Sequence, residues 1–299
     1  MNATETIHLS TMLGTYPKTR ALKEGQIRSP LVTLDIAPVD TAQKAFKDVV
    51  RRLRYDVAEL AIVTFLQAYE AGKPYRLLPF VMNGMFHHKS ILCRAEDDLQ
   101  PGALAGKTIA MRSYAQTTPT WVRGILGDEY GLDLQGVRWL SQEGAHVAEY
   151  TDPPWVTQQP DACGLEDMLL AGEVDAIIAG GALSGDARIR TLIAAPREAA
   201  LRWHERTGVV PINHVVTVKE DLLKGNDALV REVFRMLCES RASADAGNEQ
   251  TTGIDLQPIG FDKLRTSLDT AIRYAWEQKL ITRRYTVDEL YGKVGDILG

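Results

Sequence analysis

The chain has 299 residues, of which 45% are hydrophobic and 24% charged, enough apolar material for one large globular domain or two of ordinary size. Its formal net charge of -5 supplies no basic field, so we expect a small-molecule or protein partner and no nucleic acid. Three widely spaced cysteines form neither a CxxC pair nor a Cys/His cluster, which predicts reduced thiols and no metal site.

The N-terminal segment MNATETIHLSTMLGTY has no positively charged part followed by an apolar part. Elsewhere, no stretch approaches the roughly 18 uninterrupted apolar residues that a membrane-spanning helix needs. These features predict a cytoplasmic protein without a membrane partner. The sequence leaves open whether the protein forms a homo-oligomer.

The N-terminal third of the chain alternates between strand and helix patterns. Helices are predicted after GTYP and in TAQKAFKDVVRRLR, and strands in TIHLSTML, LVTLDIAPVD and YRLLPFVMN. The segment YDVAELAIVTFLQAYEAG is predicted to form a short strand followed by a helix. Period-two alternation in FHHKSILCR predicts a further strand, with His88 and Ser90 on one face. A strand followed by a loop and a helix is the repeating unit of an α/β fold.

The middle of the chain looks like a second α/β unit inserted into the first. It contains predicted strands in KTIAMR, VRWLSQ and VDAIIAG, and predicted helices in TPTWVRGILGDEYG and GLEDMLLAGE. The pattern predicts lobe I over 1–93 and 212–299 and lobe II over 94–211, joined by crossing segments near 88–105 and 208–216. A ligand is expected in the cleft between the lobes.

The junction RSYAQTTPTW is a candidate anion site. Thr117 or Thr118 is predicted to cap the helix, with Pro119 in the first turn, so that free backbone N–H groups, hydroxyls and the Arg112 guanidinium face one point. A carboxylate would fit Arg112 in bidentate geometry. The alternative is an ordinary capped helix with a solvated arginine.

A second feature, the glycine-rich turn AGGALSG at 179–185, indicates a strand end where a ligand or the other lobe approaches closely.

Two of the six histidines, His88 and His214, fall on the proposed crossing strands and therefore on the expected floor of the cleft. An imidazole there would serve as a general acid or base. The alternative for each is a hydrogen-bonded structural histidine. No HxH, HxxxH or HExxH spacing occurs, which argues further against a metal.

Glu59 follows a predicted short strand, where a carboxylate orients a hydroxyl, acts as a base or caps the next helix. Tyr16 and Arg20 lie in the first strand-to-helix connection. They are ligand contacts if the cleft forms as predicted and surface residues otherwise.

Six blocks in order along the chain resemble the 4,5-dihydroxyphthalate decarboxylase family. They are TRAL, YDVAEL, FHHKSI, MRSYAQTTPTWVRGILGDEYG, INHVVTVKEDLL and YAWEQKLITRRYTVDELY, and together they cover nearly the whole chain. The resemblance implies a two-lobed type II periplasmic-binding-protein-like α/β fold with two crossing strands. It also implies a lyase of aromatic compound catabolism, a decarboxylase that releases CO2 from a hydroxylated aromatic acid without a cofactor.

The residue roles follow from this implied activity as hypotheses. Arg112, Thr117 and Thr118 would anchor the substrate carboxylate, and His88 or His214 would donate the proton. Glu59 would bind the phenolic hydroxyl. The remaining substrate-binding candidates are Tyr16, Arg20, Ser90 and two residues that would form an aromatic wall, Tyr114 and Trp121. The alternative for Trp121 is a place in the core. The alternative function is a non-catalytic solute-binding protein for an aromatic or other small carboxylate.

Overall fold

The computed structural model describes residues 6–160, 163–181, 184–245 and 253–299. Parts of two sequence predictions, the N-terminal residues 1–5 and residues 182–183 of the glycine-rich turn, lie outside these ranges. The described chain divides into two compact units. Of the described residues, unit 1 comprises 6–83, 214–245, 253–265 and 285–299, and unit 2 comprises 84–160, 163–181, 184–213 and 266–284.

Unit 1 is built on a mixed sheet with the order β2-β1-β3-β11-β4. The strands β1 and β3 run parallel, whereas β11 runs antiparallel to β3. The strands are Ile7–Met12 (β1), Val32–Ile36 (β2), Val57–Ala61 (β3), Tyr75–Gly84 (β4) and Ile212–Lys219 (β11). The helices that belong to this unit or begin in it are Pro17–Lys23 (α1), Phe46–Arg52 (α2), Ile62–Glu70 (α3), Asp227–Asp245 (α7), Phe261–Glu277 (α8), Val287–Tyr291 (α9) and Lys293–Leu298 (α10).

The core of unit 1 lies where apolar side chains of the sheet meet the buried face of α7. Leu9, Val57 and Val216 from the strands pack in one cluster with Val230 and Val233 of α7. The strand β3 is buried along its whole length, as expected for a central strand covered on both faces. A charged residue on this strand is therefore removed from water.

Unit 2 is built on a second mixed sheet with the order β10-β5-β9-β6-β7-β8. Its strands are Ile91–Arg94 (β5), Thr108–Met111 (β6), Arg138–Ser141 (β7), Val156–Gln158 (β8), Ala176–Ile178 (β9) and Ile189–Thr191 (β10). Its helices are Thr117–Tyr130 (α4), Leu165–Leu170 (α5) and Pro196–Thr207 (α6). Two sheets flanked by helices agree with the predicted two-part α/β fold class.

The units differ from the predicted lobes mainly in the segments 84–93 and 266–284, which were predicted in lobe I and belong to unit 2. In the second of these segments the ring of Tyr274 packs edge-on against Trp121 of α4 at 5.5 Å between ring centroids. Gln278 Oε1 accepts a hydrogen bond of 2.7 Å from Nε of the buried Arg123. These contacts join residues about 150 positions apart, which helical periodicity alone does not reveal.

Candidate functional site

Glu59 is a fully buried carboxylate in the middle of the unit 1 sheet, with 0% of its surface exposed. In the antiparallel pairing of β3 with β11, Val216 lies opposite Glu59 and His214 lies opposite Ala61. Because opposite and next-but-one residues share a face of the sheet, His214 becomes the diagonal neighbour of Glu59. The strand register therefore brings together a carboxylate and an imidazole that are 155 positions apart.

Three donors converge on the Glu59 carboxylate. His214 Nδ1 lies 2.6 Å from Oε1, and the Tyr16 hydroxyl donates to the same oxygen at 2.7 Å. The backbone N–H of Gly14 donates to Oε2 at 2.8 Å. A buried charge is tolerated only when such partners replace its water, and hydrogen bonds to a carboxylate favour the ionised form. Glu59 thus forms the negative centre of a protein-made cluster, which we call the Glu59–His214 site and which includes Tyr16 and Gly14.

The hydrogen bond to Glu59 also determines which tautomer His214 adopts. An ionised carboxylate only accepts hydrogen bonds, so Nδ1 carries the proton and Nε2 of the neutral ring keeps its lone pair. The ring is 5% exposed, and Phe46 meets it edge-on at 5.3 Å between centroids. On its Nε2 side, Nε2 of Gln43 lies 3.5 Å from the ring nitrogen. Nε2 is therefore the ring nitrogen that does not face Glu59.

Tyr16 is held over the site by its position at the N-cap of α1. Its backbone N–H donates to Thr19 Oγ1 at 2.9 Å, and the same Thr19 hydroxyl donates to the carbonyl of Gly14. A Cβ at Gly14 would lie 2.7 Å from the Tyr16 ring, so the ring requires a glycine there. Burial, followed by the negative charge of Glu59, raises the pKa of Tyr16, and the phenol remains a neutral donor.

One further charged side chain of unit 1, Lys23, interacts with this site. Burial lowers the pKa of Lys23, opposed by the charges of Asp40 and Glu59, and its Nζ donates to Thr15 Oγ1 at 2.8 Å. Arg20 lies on α1 and is exposed. Of the four candidates in this unit, the structure thus brings together Tyr16, Glu59 and His214, whereas Arg20 lies at the surface.

His88 belongs to unit 2 and differs from His214 in its surroundings. The predicted strand over FHHKSILCR is correct only for Ile91–Arg94, because His88–Ser90 form a single 3-10 turn in which the Ser90 N–H bonds the His87 carbonyl. The His88 side chain is 2% exposed, and neither ring nitrogen has a hydrogen-bond partner in the described chain. Burial lowers its pKa from 6.5 to about 4, so the ring is neutral near pH 7.

Two buried aromatic side chains, Trp203 and His87, lie beside His88. The ring of Trp203 lies 5.7 Å away between centroids, and its indole Nε1 also has no partner in the described residues. His87 bonds Asn213 Oδ1 through Nε2 at 2.8 Å, and burial lowers its pKa to about 4. Ser90, predicted to share a face with His88, is buried at the end of the turn, where its carbonyl accepts the Ala179 N–H.

The predicted anion site at the start of α4 takes a different form in the structure. The prediction that Thr117 or Thr118 caps the helix was wrong, because the N-cap is Gln116, which makes no side-chain capping bond. Arg112 is exposed, and its Nε bonds Glu143 Oε1 at 2.8 Å. This ion pair already occupies part of the guanidinium that was expected to bind a carboxylate.

The side chain of Thr118 faces the glycine-rich turn after β9. A Cβ at Gly180 would lie 3.0 Å from Thr118 Oγ1, so the backbone of this turn approaches the first turn of the helix closely. Pro119 lies within the first turn and contributes no N–H, as predicted. The start of α4 thus combines a helix end without a side-chain cap, a hydroxyl and an adjacent glycine backbone.

Tyr114 and Trp121 are core residues of unit 2. Tyr114 is 0% exposed, and the guanidinium carbon of the buried Arg123 stacks 3.7 Å from its ring centroid. Trp121 is 1% exposed and donates its indole N–H to the Ile212 carbonyl at 2.9 Å. For Trp121 this is the alternative that the sequence left open. Both rings are enclosed by protein atoms and do not form an aromatic wall.

Two residues of the Glu59–His214 site were missed by the sequence reasoning. Gly14 had a detectable signal, since it directly follows the predicted first strand, but its fit under the Tyr16 ring depends on tertiary structure. Gln43 had no signal, because it is one polar residue on the exposed side of TAQKAF.

Within the described ranges, no group of three or more histidine, cysteine or acidic side chains could hold a metal ion. No helix in the same ranges combines the length and the apolar character required to span a bilayer.

Comparison with known proteins shows what the chain is similar to in sequence and in fold. No family model matches the chain. The 4,5-dihydroxyphthalate decarboxylase of Comamonas testosteroni is 24% identical over 307 aligned positions, which cover 96% of this chain and 91% of that protein.

Solved structures agree on the fold. The periplasmic aliphatic sulphonate binding protein SsuA from Escherichia coli superimposes with a TM-score of 0.63 at 13% identity, covering 96% of this chain and 92% of that one. The desulfurization enzyme DSZB superimposes with a TM-score of 0.53 at 16% identity over 98% of this chain and 99% of that one. The chain therefore resembles 4,5-dihydroxyphthalate decarboxylase in sequence and has the α/β fold of SsuA-like periplasmic binding proteins, as the sequence predicted.

Proposed function

We propose that the protein is a cofactor-independent decarboxylase of a hydroxylated aromatic carboxylic acid, with His214 as the proton donor. The observation that carries this proposal is the 2.6 Å contact between His214 Nδ1 and Oε1 of the fully buried Glu59. A carboxylate in this position orients the imidazole and stabilises its protonated form. The sequence resemblance to a decarboxylase supports the reaction class.

The reaction needs one proton at one ring carbon. A hydroxyl para to the leaving carboxylate enriches the ring in electrons, so the carbon that bears the carboxylate accepts a proton from Nε2 of the His214 imidazolium. The bond between that carbon and the carboxylate then breaks and CO2 leaves. The electron pair of the broken bond stays with the ring and restores its aromaticity. His214 is left neutral and regains its proton from solvent. General acid catalysis of this kind contributes roughly 100- to 10,000-fold.

The hydrogen bonds of the site revise two assignments made from the sequence. Glu59 is assigned to hold His214, because its two oxygens already accept bonds from Gly14, Tyr16 and His214. His88 is not assigned as the proton donor, since burial lowers its pKa to about 4 and the neutral imidazole present near pH 7 is a poor acid. Tyr16 stabilises the Glu59 carboxylate as a neutral donor.

The carboxylate anchor remains a proposal at Arg112, Thr117 and Thr118. The α4 start without a side-chain cap supports it, since the positive end of a helix of this length favours an anion. The pairing of Arg112 with Glu143 at 2.8 Å implies that a ligand carboxylate must displace Glu143 or bind beside it. The position of the ligand relative to both units and the cytoplasmic location also remain predictions.

A second candidate function is non-catalytic binding of a small acid. The observation that favours it is the fold, which is shared with an aliphatic sulphonate binding protein. Fold alone does not determine function, because the same scaffold also carries a desulfurization enzyme. A sulfonate therefore belongs in any ligand panel beside the aromatic acids.

The deciding experiment incubates the protein with hydroxylated benzoates and phthalates and with an aliphatic sulfonate, and measures both CO2 release and the ligand-induced rise in Tm. The decarboxylase proposal expects at least one aromatic acid to release CO2. His214→Asn should then lower turnover at least about 100-fold and keep the rise in Tm. The matched control is His8→Asn, which removes an exposed histidine–aspartate pair with Asp35. Acids that raise Tm without any CO2 release would instead establish the binding protein.

A further inference from the structure

Gln43 lies next to the reactive nitrogen of His214, although its own side chain is exposed. It is carried on the 3-10 turn Ala42–Ala45, directly before α2. Ala42, Ala45 and Phe46 are buried and hold this segment in place, and Phe46 also meets the His214 ring edge-on. The position of the Gln43 backbone relative to the imidazole is therefore set by packing, whereas its side chain is exposed.

The contact joins two nitrogen atoms, Nε2 of Gln43 and Nε2 of His214, at 3.5 Å. An amide nitrogen only donates, so this orientation matches the neutral imidazole, whose Nδ1 proton is directed at Glu59. When the ring gains a proton, Nε2 becomes a donor and the amide nitrogen no longer matches it. Rotation of the amide by half a turn would present its oxygen, which is an acceptor of nearly the same shape.

We propose that Gln43 is a positioning residue for proton transfer at His214, its amide donating to Nε2 of the neutral ring and accepting from Nε2–H of the protonated ring. This role rests on the proposed decarboxylase function as far as turnover is concerned. The coupling between the amide and the imidazole does not depend on it. A glutamine is suited to the task because a single side chain offers both a donor and an acceptor without adding charge.

The charged and titratable groups around the imidazole come from several elements. Glu59 of β3 bonds Nδ1, and Tyr16, at the start of α1, bonds the same Glu59 oxygen. Lys23 of α1 interacts electrostatically with both Glu59 and Asp40. None of these recorded interactions involves Nε2, so a change at Gln43 acts on the reactive nitrogen from its own side of the ring.

Two variants test the coupling in the full-length protein. Gln43→Leu removes both the donor and the acceptor, and Gln43→Glu places a permanent acceptor at Nε2. The matched control is Gln26→Leu, another exposed glutamine of unit 1, whose amide bonds Glu24 instead. NMR of the imidazole nitrogens reports the protonation and tautomer of His214 without any substrate.

In Gln43→Leu, the expected NMR result is a changed resonance of His214 Nε2. In Gln43→Glu, we expect the His214 ring to stay protonated to higher pH, because the opposite charge stabilises the imidazolium. If an aromatic acid is turned over, Gln43→Leu should also lower kcat roughly three- to tenfold, the effect of losing one hydrogen bond. For Gln43→Glu, the alkaline limb of the kcat profile should move to higher pH, because the donor keeps its proton longer.

The outcomes separate this inference from the proposed function. If imidazole resonances and pH profile in both Gln43 variants match those of Gln26→Leu, the positioning role is wrong, whether or not the protein releases CO2. If no acid is decarboxylated but the resonances respond as expected, the proposed function fails while the coupling between Gln43 and His214 stands. A lower kcat without any NMR change would indicate a merely structural effect and would also overturn the inference.

Discussion

His214 and Glu59 form a buried imidazole–carboxylate pair, with 2.6 Å between Nδ1 and Oε1, on the strands β11 and β3 of one sheet. The pair is supported by Tyr16 and Gly14, which bond the same carboxylate. Because every donor is supplied by the protein itself, the geometry exists before any ligand binds. Such preorganisation favours proton transfer, since the Glu59 carboxylate need not reorient when charge develops on the imidazole.

Replacement of Glu59 by glutamine should destabilise the fold more than removal of a surface charge. The amide nitrogen of Glu59→Gln would take the place of one acceptor oxygen, so at least one donor at Gly14, Tyr16 or His214 loses its partner. An unpaired buried group costs about 1–3 kcal/mol of unfolding free energy, which urea denaturation measures. The control Glu143→Gln, which breaks the exposed pair with Arg112, should change stability by at most about 1 kcal/mol. Equal losses in both variants would contradict the buried role of Glu59.

Gly14 and Tyr16 should show coupled effects, because the glycine makes room for the ring. A methyl group at Gly14 would lie 2.7 Å from the Tyr16 ring, so Gly14→Ala must displace it and weaken the bond to Glu59. We expect a loss of roughly 1–3 kcal/mol in the single variant. Most of this loss should disappear in a Tyr16→Ala background, where no ring remains to be displaced.

A double-mutant cycle by urea denaturation checks this prediction. An interaction energy larger than about 0.5 kcal/mol is the expected result for residues in contact. Additive losses would mean that Gly14 matters for its own backbone conformation and has no role in supporting Tyr16.

The fold was predictable because strand and helix periods are local properties of the sequence. The strands around Leu9, Glu59 and Val216 all follow from short patterns, and the resemblance to known proteins fixed their arrangement. Glu59 and His214 were candidates separately, because one was predicted to follow a short strand and the other is a scarce residue on a strand. The structure corrects the first of these, since Glu59 lies within β3. Their pairing was not predictable, since the register of two strands 155 positions apart is set by packing.

Other parts of the site could not be predicted for different physical reasons. The side-chain alternation in FHHKSI has the period of a strand, but the Ser90 N–H donates a hydrogen bond to the His87 carbonyl and closes a turn there. Gln43 could not be identified as a candidate from the sequence, because its proximity to His214 arises only from the packing of its turn. The burial of Tyr114 depends on stacking with Arg123, a contact within unit 2 that composition does not indicate.

His88 should make the protein sensitive to acid. Burial lowers its pKa from 6.5 to about 4, so between these values the unfolded chain binds a proton that the folded chain excludes. Stability is therefore complete above about pH 6.5 and falls as the pH drops towards 4, by on the order of 3 kcal/mol. His87, with the same direction of shift, adds to this loss.

The substitution His88→Leu tests the assignment. It removes two ring nitrogens that have no partner in the described chain, so the free energy of unfolding near pH 7 should stay the same or rise. Between pH 6.5 and 4 the decline measured by urea denaturation should become shallower than in the wild type. A clear loss of stability near pH 7 would instead show that the His88 nitrogens are hydrogen-bonded in solution, for example to internal water.

The turn after β9 should influence ligand binding through the start of α4. A methyl group at Gly180 would lie 3.0 Å from Thr118 Oγ1, whereas one at Gly181 would meet nothing within 4 Å. Gly180→Ala should therefore displace the Thr118 hydroxyl, and Gly181→Ala is its matched control. If this helix start binds the carboxylate of the ligand, Gly180→Ala should weaken affinity about tenfold, the equivalent of about 1.4 kcal/mol. Isothermal titration with an acid that raises Tm measures the effect, and equal affinity in both alanine variants would place the anion elsewhere.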